Sequence, residues 1–162
     1  MIVRSFAPIE APDAHTLILG SMPGVASLEA GQYYAHPRNT FWPIMGELYG
    51  AGPDLPYTER MACLKASGIA VWDVLQSCVR AGSLDADIRG EVPNDIAAFL
   101  VTHPGIRRIG LNGGKAAASF RKHGAGCLPS GVNVRVLPST SPAHAARGPE
   151  EKCELWRAAL LG

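Results

Sequence analysis

Apolar and polar positions along the chain follow two periods. Short runs rich in valine, isoleucine and leucine occur at residues 15–20, 68–75, 106–111 and 132–137, each closed by a turn or a polar stretch, and these predict buried strands. Between them the spacing is helical. Phe41, Ile44, Met45 and Leu48 recur at helical intervals and predict a helix over 41–49, and Met61 and Leu64 extend the pattern into a second over 58–66. Pro93-Asn94-Asp95 introduces a helix over 96–101, and Gly113-Gly114 precedes one over 115–122. Pro149, Glu150 and Glu151 suit the first turn of a last helix that reaches Leu160. Parallel neighbours need a crossover, which a helix supplies, so this alternation predicts an α/β fold. The expectation is a single domain over 1–162, a three-layer α/β/α arrangement around a four-stranded parallel sheet. The Gly- and Pro-rich segments at 50–56 and 124–131 read as loops, and no internal repeat is visible.

Composition narrows the class. A chain of 162 residues that is 47% hydrophobic and 18% charged is globular, and its apolar runs fall short of the roughly 20 residues of a membrane span. The N-terminus shows no basic segment followed by a long apolar one, so a cytoplasmic location is expected, without a membrane. Cysteines 63, 78, 127 and 153 form no Cys-x-x-Cys pair, which predicts reduced, mostly buried thiols. Their spacing gives little support to an iron–sulfur cluster. Neither a metal nor a cofactor is expected, and a monomer is. The net charge of +1 announces no polyanion partner, although Lys115, Arg121, Lys122, Arg135 and Arg147 in the second half could form a local basic rim or simply be solvated.

Candidate chemistry collects at the carboxyl ends of the predicted strands, where open α/β sheets bind ligands. The first strand is followed by Gly20, Ser21, Met22, Tyr33, Tyr34, His36 and Asn39, and the second ends in Trp72 and Asp73. Asn112 closes the third, and Ser139, Thr140, Ser141 and His144 follow the fourth. Aromatic rings beside amides and one carboxylate suit a planar heterocycle, stacked on a ring with its edge hydrogen-bonded. Asn112 can donate to such an edge or close a turn, Asn39 can also cap the helix that follows it, and Trp72 points to the opposite side of its strand. The Gly-Gly-Lys at 113–115 lacks the spacing and hydroxyl of a phosphate-binding P-loop, and no Gly-x-Ser-x-Gly elbow is present.

Gly20-x-x-Pro23-Gly24, Tyr34-Ala35-His36-Pro37, Asn39 and Phe41-Trp42 resemble the first motif of the uracil-DNA glycosylase superfamily, nearest its mismatch-specific branch. That branch carries a water-activating asparagine where this chain has Met22. With Val71-Trp72-Asp73-Val74 and Ser139-Thr140-Ser141-Pro142, the chain is similar over nearly its whole length to the hypoxanthine-DNA glycosylase family. The resemblance implies base-excision repair of damaged DNA, by hydrolysis of the bond between hypoxanthine and deoxyribose without a metal. A base within a duplex is inaccessible, so the nucleotide must be flipped out. The resemblance makes Tyr34 the stacking ring, Asn39 the residue that positions water, and Asp73 a reader of the base edge beside Gly20, Ser21 and Met22. It also places the second motif at 139–144, where Ser139 replaces a histidine and Ala143 a wedge. Ser139, Thr140, Ser141 and His144 then become DNA contacts, with Lys115 and Arg147. Uracil, xanthine or mismatch specificity stays open, as does a catalytically silent nucleic-acid or nucleotide-binding module on the same fold.

Overall fold

The computed structural model describes residues 1–124 and 128–162. Four parallel strands form the central sheet: β2 (Thr16–Gly20), β3 (Ile69–Asp73), β6 (Arg108–Asn112) and β7 (Asn133–Leu137), in the spatial order β3-β2-β6-β7. β2 lies inside and all five of its residues are buried. Its register sets Gly20 beside Asp73 on β3, and Leu19 beside Leu111 on β6.

Strand alternation sorts side chains into two cores. Ile18, Ile69 and Val71 face α2 (Phe41–Tyr49), α3 (Tyr57–Ala66) and α6 (Pro149–Leu161), packing with Phe41, Met45, Leu64 and Trp156. Leu17, Leu19 and Ile109 face α4 (Ile96–Thr102) and α5 (Gly114–His123), against Phe99, Leu100 and Phe120. The three layers expected from the sequence are present. The predicted cap at Asp95 is also formed, its side chain accepting from the Ala98 amide at 2.9 Å.

Two parts of the architecture correct the sequence reading. The apolar run at 68–75 is not one strand. β3 ends at Asp73, the Val74 amide donates to the Gly20 carbonyl at 2.8 Å, and the chain continues as β4 (Leu75–Val79) in a second sheet. That antiparallel sheet, β1-β4-β5, adds β1 (Ile2–Arg4) and β5 (Arg89–Pro93). An apolar run reports burial and does not mark where the chain changes sheets. The stretch after Gly24, for which the periodicity predicts no helix, holds one of six residues, α1 (Val25–Ala30), closed by Gly31 at φ 66°. Six residues are too few for periodicity to reveal.

Cys63, Cys78 and Cys153 are free thiols, but only Cys78 is fully buried, the other two being half-buried at helix surfaces. Cys127 and part of the loop at 124–131 lie outside the described residues. Among those described, no helix is long and apolar enough to cross a membrane.

Candidate active site

β2 is flanked by β3 on one side and β6 on the other, so the crevice above the carboxyl ends of β2 and β6 is the point where the chain reverses its order across the sheet. A cavity of about 720 Å³ lies there, lined by residues 20–27, parts of 33–39, Asp73, residues 83–85, Asn112 and residues 139–144.

Its floor is built around a missing side chain. A Cβ on Gly20 would lie 2.6 Å from Asp73 Oδ1 and 2.7 Å from the Tyr34 hydroxyl, so only glycine lets the two groups converge over the end of β2. The Asp73 carboxyl is 3% exposed and accepts from Ser5 Oγ at 2.8 Å. Burial pushes its pKa up to about 7, opposed by the Ser5 hydrogen bond and reinforced by the charge of Asp85. The Tyr34 hydroxyl is buried without a hydrogen-bond partner among the described residues. Burial, and then the charge of Asp73, hold it well above the usual phenol range.

Tyr34 is also held in an uncommon backbone conformation. Its φ of 55° is the left-handed region, which an aromatic residue adopts only when its surroundings enforce it. The enforcement is visible. One face of the ring stacks on Phe41, with centroids 4.1 Å apart and planes 23° apart, and Phe41 meets Trp42 and Trp156 edge-on. Trp42 Nε1 donates to the Tyr33 carbonyl at 2.8 Å, and the Tyr33 hydroxyl donates to the Ala7 carbonyl at 3.0 Å. A chain of rings therefore braces Tyr34 from behind.

Asn39 stands at the wall, just before α2. Its Oδ1 accepts from the Phe41 amide at 2.9 Å and satisfies a free donor of the first turn. The capping role open in the sequence is thus realised one residue upstream of the formal cap, while Asn39 still lines the cavity. His36 turns Nδ1 back onto the Arg38 amide at 3.1 Å. Trp72 lies off the site, packed on Phe99 with centroids 5.1 Å apart.

Several expected contacts are otherwise engaged. Asn112 donates from Nδ2 to the Thr140 hydroxyl at 3.0 Å and accepts from the Thr140 amide at 3.0 Å. Thr140 is 1% exposed, and its carbonyl accepts from the Thr40 amide at 3.1 Å. Thr140 therefore joins three segments of the wall and does not present its hydroxyl to a phosphate, contrary to the expectation. Ser139 approaches the backbone at Gly113, whose φ is 97° and whose Cβ would fall 2.9 Å from Ser139 Cβ. Ser139 Oγ accepts from the Ser141 amide at 3.2 Å, and Ser141 Oγ from the Ala143 amide at 3.2 Å. His144 is exposed, and its carbonyl accepts from the buried Lys152 ammonium at 2.8 Å. Lys115 borders the cavity but pairs with Glu91 at 2.5 Å, and Arg147 pairs with Glu151 at 3.1 Å. Met22 borders the cavity while its side chain packs with the core.

One wall has no counterpart in the sequence reading. The connection from β4 to β5 folds over the cavity, bringing Ser83, Leu84 and Asp85 to its lining. Ser83 Oγ accepts from the Val25 amide at 2.8 Å, and Asp85 accepts from Ser21 Oγ at 2.8 Å. The Ser21 hydroxyl, expected at the base, is thereby directed to Asp85. Behind this wall Arg80, 2% exposed, donates from Nη2 to the Pro23 carbonyl, while its Nε and Nη1 have no partner among the described residues. No spacing signal marks this stretch, because its residues act through a turn and not through a periodic face.

A parallel sheet with an aromatic and carboxyl-lined cavity at its reversal point defines an α/β protein of the kind that binds ligands beyond its strand ends. The comparisons with known proteins specify which. The family model of the uracil DNA glycosylase superfamily matches residues 7–160. A hypoxanthine DNA glycosylase of Methanosarcina acetivorans is 34% identical over 145 residues, 89% of each chain. One from Methanosarcina barkeri is 33% identical over 142 residues, 87% of each. The solution NMR structure of a protein from Methanosarcina acetivorans, assigned as a uracil DNA glycosylase, superposes with a TM-score of 0.80 at 32% identity, covering 98% of this chain and 99% of that one. The chain belongs to the uracil DNA glycosylase superfamily, and it is a DNA glycosylase, a hydrolase of N-glycosyl bonds.

Proposed function

We propose that the protein releases hypoxanthine from deoxyinosine in DNA by flipping the nucleotide into this cavity. The observation that carries the reading is the floor, where the Asp73 carboxyl and the Tyr34 ring converge over the space Gly20 leaves empty. Hypoxanthine presents an N1 donor beside an O6 acceptor. With a pKa near 7, Asp73 complements that edge in either form: the carboxylate accepts from N1, and the neutral acid accepts at one oxygen and donates to O6 from the other. The Tyr34 face turned away from Phe41 supplies the stacking surface. Asn39 positions the attacking water through the amide N–H groups and the second lone pair that its cap to Phe41 leaves free. Uracil carries the same donor–acceptor edge at N3 and O4, so substrate preference is the point to measure.

The test is abasic-site formation on oligonucleotides containing hypoxanthine, xanthine or uracil, in single and double strands. Hypoxanthine release is expected to exceed uracil release, and Asn39→Ala to lower it by about 100-fold or more while the variant still binds the DNA. Release of uracil without hypoxanthine would overturn the substrate assignment. Full activity in Asn39→Ala would overturn the role of Asn39.

A further inference from the structure

We infer that Asp85 is the proton acceptor for the attacking water, an assignment that rests on the proposed glycosylase reaction. Hydrolysis forms a bond from water oxygen to C1′ and breaks the bond from C1′ to N9. The bonding pair leaves with the base, and the water gives up a proton. An amide such as Asn39 can orient that water but is a poor base. A group with a free acceptor at the depth of the sugar is therefore needed.

The cavity lining offers two carboxylates and two imidazoles for the task. Asp73 lies on the floor, 3% exposed and bonded to Ser5, where the base edge belongs and where the sugar of a flipped nucleotide does not reach. His36 commits Nδ1 to the Arg38 amide. His144 is exposed on a loop whose recorded contacts to the body run through the backbone and Thr140. Asp85 is different. It stands at the rim, accessible to water, and its position is set from two sides: Ser21 Oγ donates to Oδ1 at 2.8 Å, and Ser83, two residues earlier, ties the same turn to Val25. The backbone closes the turn through the Ile88 amide, which donates to the Asp85 carbonyl at 3.2 Å. Oδ1 is thus held while Oδ2 has no hydrogen bond among the described residues. Asp85, Asp73 and Tyr34 line the same cavity, and the charge of Asp85 adds to the upward shifts of the other two.

A fixed carboxylate on the rim that receives a polyanion weakens phosphate binding. That disadvantage separates a chemical role from a structural one, because the two predict opposite effects on affinity. In the reaction the water proton passes to Asp85 Oδ2 as the C1′–O bond forms, and then to solvent or to the departing base. The negative charge also opposes the positive charge that develops on the sugar.

The experiment compares Asp85→Asn and Ser21→Ala with the wild type. It measures single-turnover release of whichever of hypoxanthine, xanthine and uracil the wild type excises, the dissociation constant for the same oligonucleotide, the pH profile of the rate, and thermal unfolding. Asp85→Asn is expected to lower the rate by about 100-fold or more, to bind DNA at least as tightly, and to lose the low-pH limb of the rate profile. Besides Asp85, the titratable or charged groups facing this space among the described residues are Asp73, Tyr33, Tyr34, His36, Arg38, Lys115 and His144, with Arg80 behind the wall. Asp73→Asn, run in parallel, identifies any limb that belongs to the floor. Ser21→Ala is expected to lower the rate less and to keep the limb. An Asp85→Asn protein that keeps the wild-type rate, or loses rate, affinity and melting temperature together, would overturn the assignment while leaving the glycosylase reading intact. A wild type that releases none of the three bases would overturn both.

Discussion

At the scale of single residues, the site depends on groups kept in states they would not adopt in water. Asp73 is an acid whose pKa rises from an ordinary value near 3.8 to about 7 on folding. The folded protein therefore binds a proton more tightly than the unfolded chain. The stability associated with that proton is fully present below about pH 4 and is lost as pH rises through about pH 7. Asp73→Asn removes this dependence. Its melting temperature is expected to fall less than that of the wild type between about pH 5 and about pH 8, which scanning calorimetry across that range checks. An equal fall in both proteins would mean that Asp73 is ionised throughout. Tyr34 shows the same dependence on its surroundings, since its φ of 55° is held by the rings behind it and by hydrogen bonds from the flanking Tyr33 and Ala35 amides to the Tyr57 and Ser27 hydroxyls.

At the scale of elements, the wall is assembled by connections between strand ends. Asn112 ends β6 and uses both ends of its amide on Thr140, beyond β7, while the Thr140 carbonyl holds Thr40 at the start of α2. Thr140→Val keeps the shape and removes the hydroxyl, leaving the Asn112 amide nitrogen short of a partner. A loss of about 1–3 kcal/mol is expected, read as a lower midpoint in urea with an unchanged slope. These elements were legible to different degrees. Helix α2 read clearly because its apolar positions repeat at helical spacing, and the last helix because Pro149, Glu150 and Glu151 mark its first turn. β2 read clearly because it is a short apolar run closed by a turn. The antiparallel sheet was hidden because β1 and β5 are short and largely exposed, and β4 continues an apolar run that belongs to β3. The floor of the site was legible as strand-end chemistry in Asp73 and as a matched motif in Tyr34, and the wall at Asn39 as part of the same motif. The Ser83–Asp85 wall was not, since it reaches the site through a turn whose residues carry no pattern.

Across the whole molecule, charge sets how DNA is met. The net charge is +1, and two cations expected at the rim are already paired, Lys115 with Glu91 and Arg147 with Glu151. Arg38 lines the cavity, is exposed, and enters no ion pair among the described residues. Binding through about two to four phosphates is expected, so a plot of log affinity against log salt should have a slope of about −2 to −4. Arg38→Ala should make that slope shallower by about one. Fluorescence anisotropy over a salt series measures both, and a slope unchanged in the variant would remove Arg38 from the phosphate contacts.

The hydrogen bond from Thr40 to the Thr140 carbonyl joins residues separated by 100 positions, and Ser5 reaches Asp73 across 68. Closing such long loops costs chain entropy that only the assembled core offsets. The pocket therefore draws on both halves of the chain at once, and a fragment that keeps only one half of the sheet holds Asp73 without Ser5 or Thr140 without Thr40 as its partner.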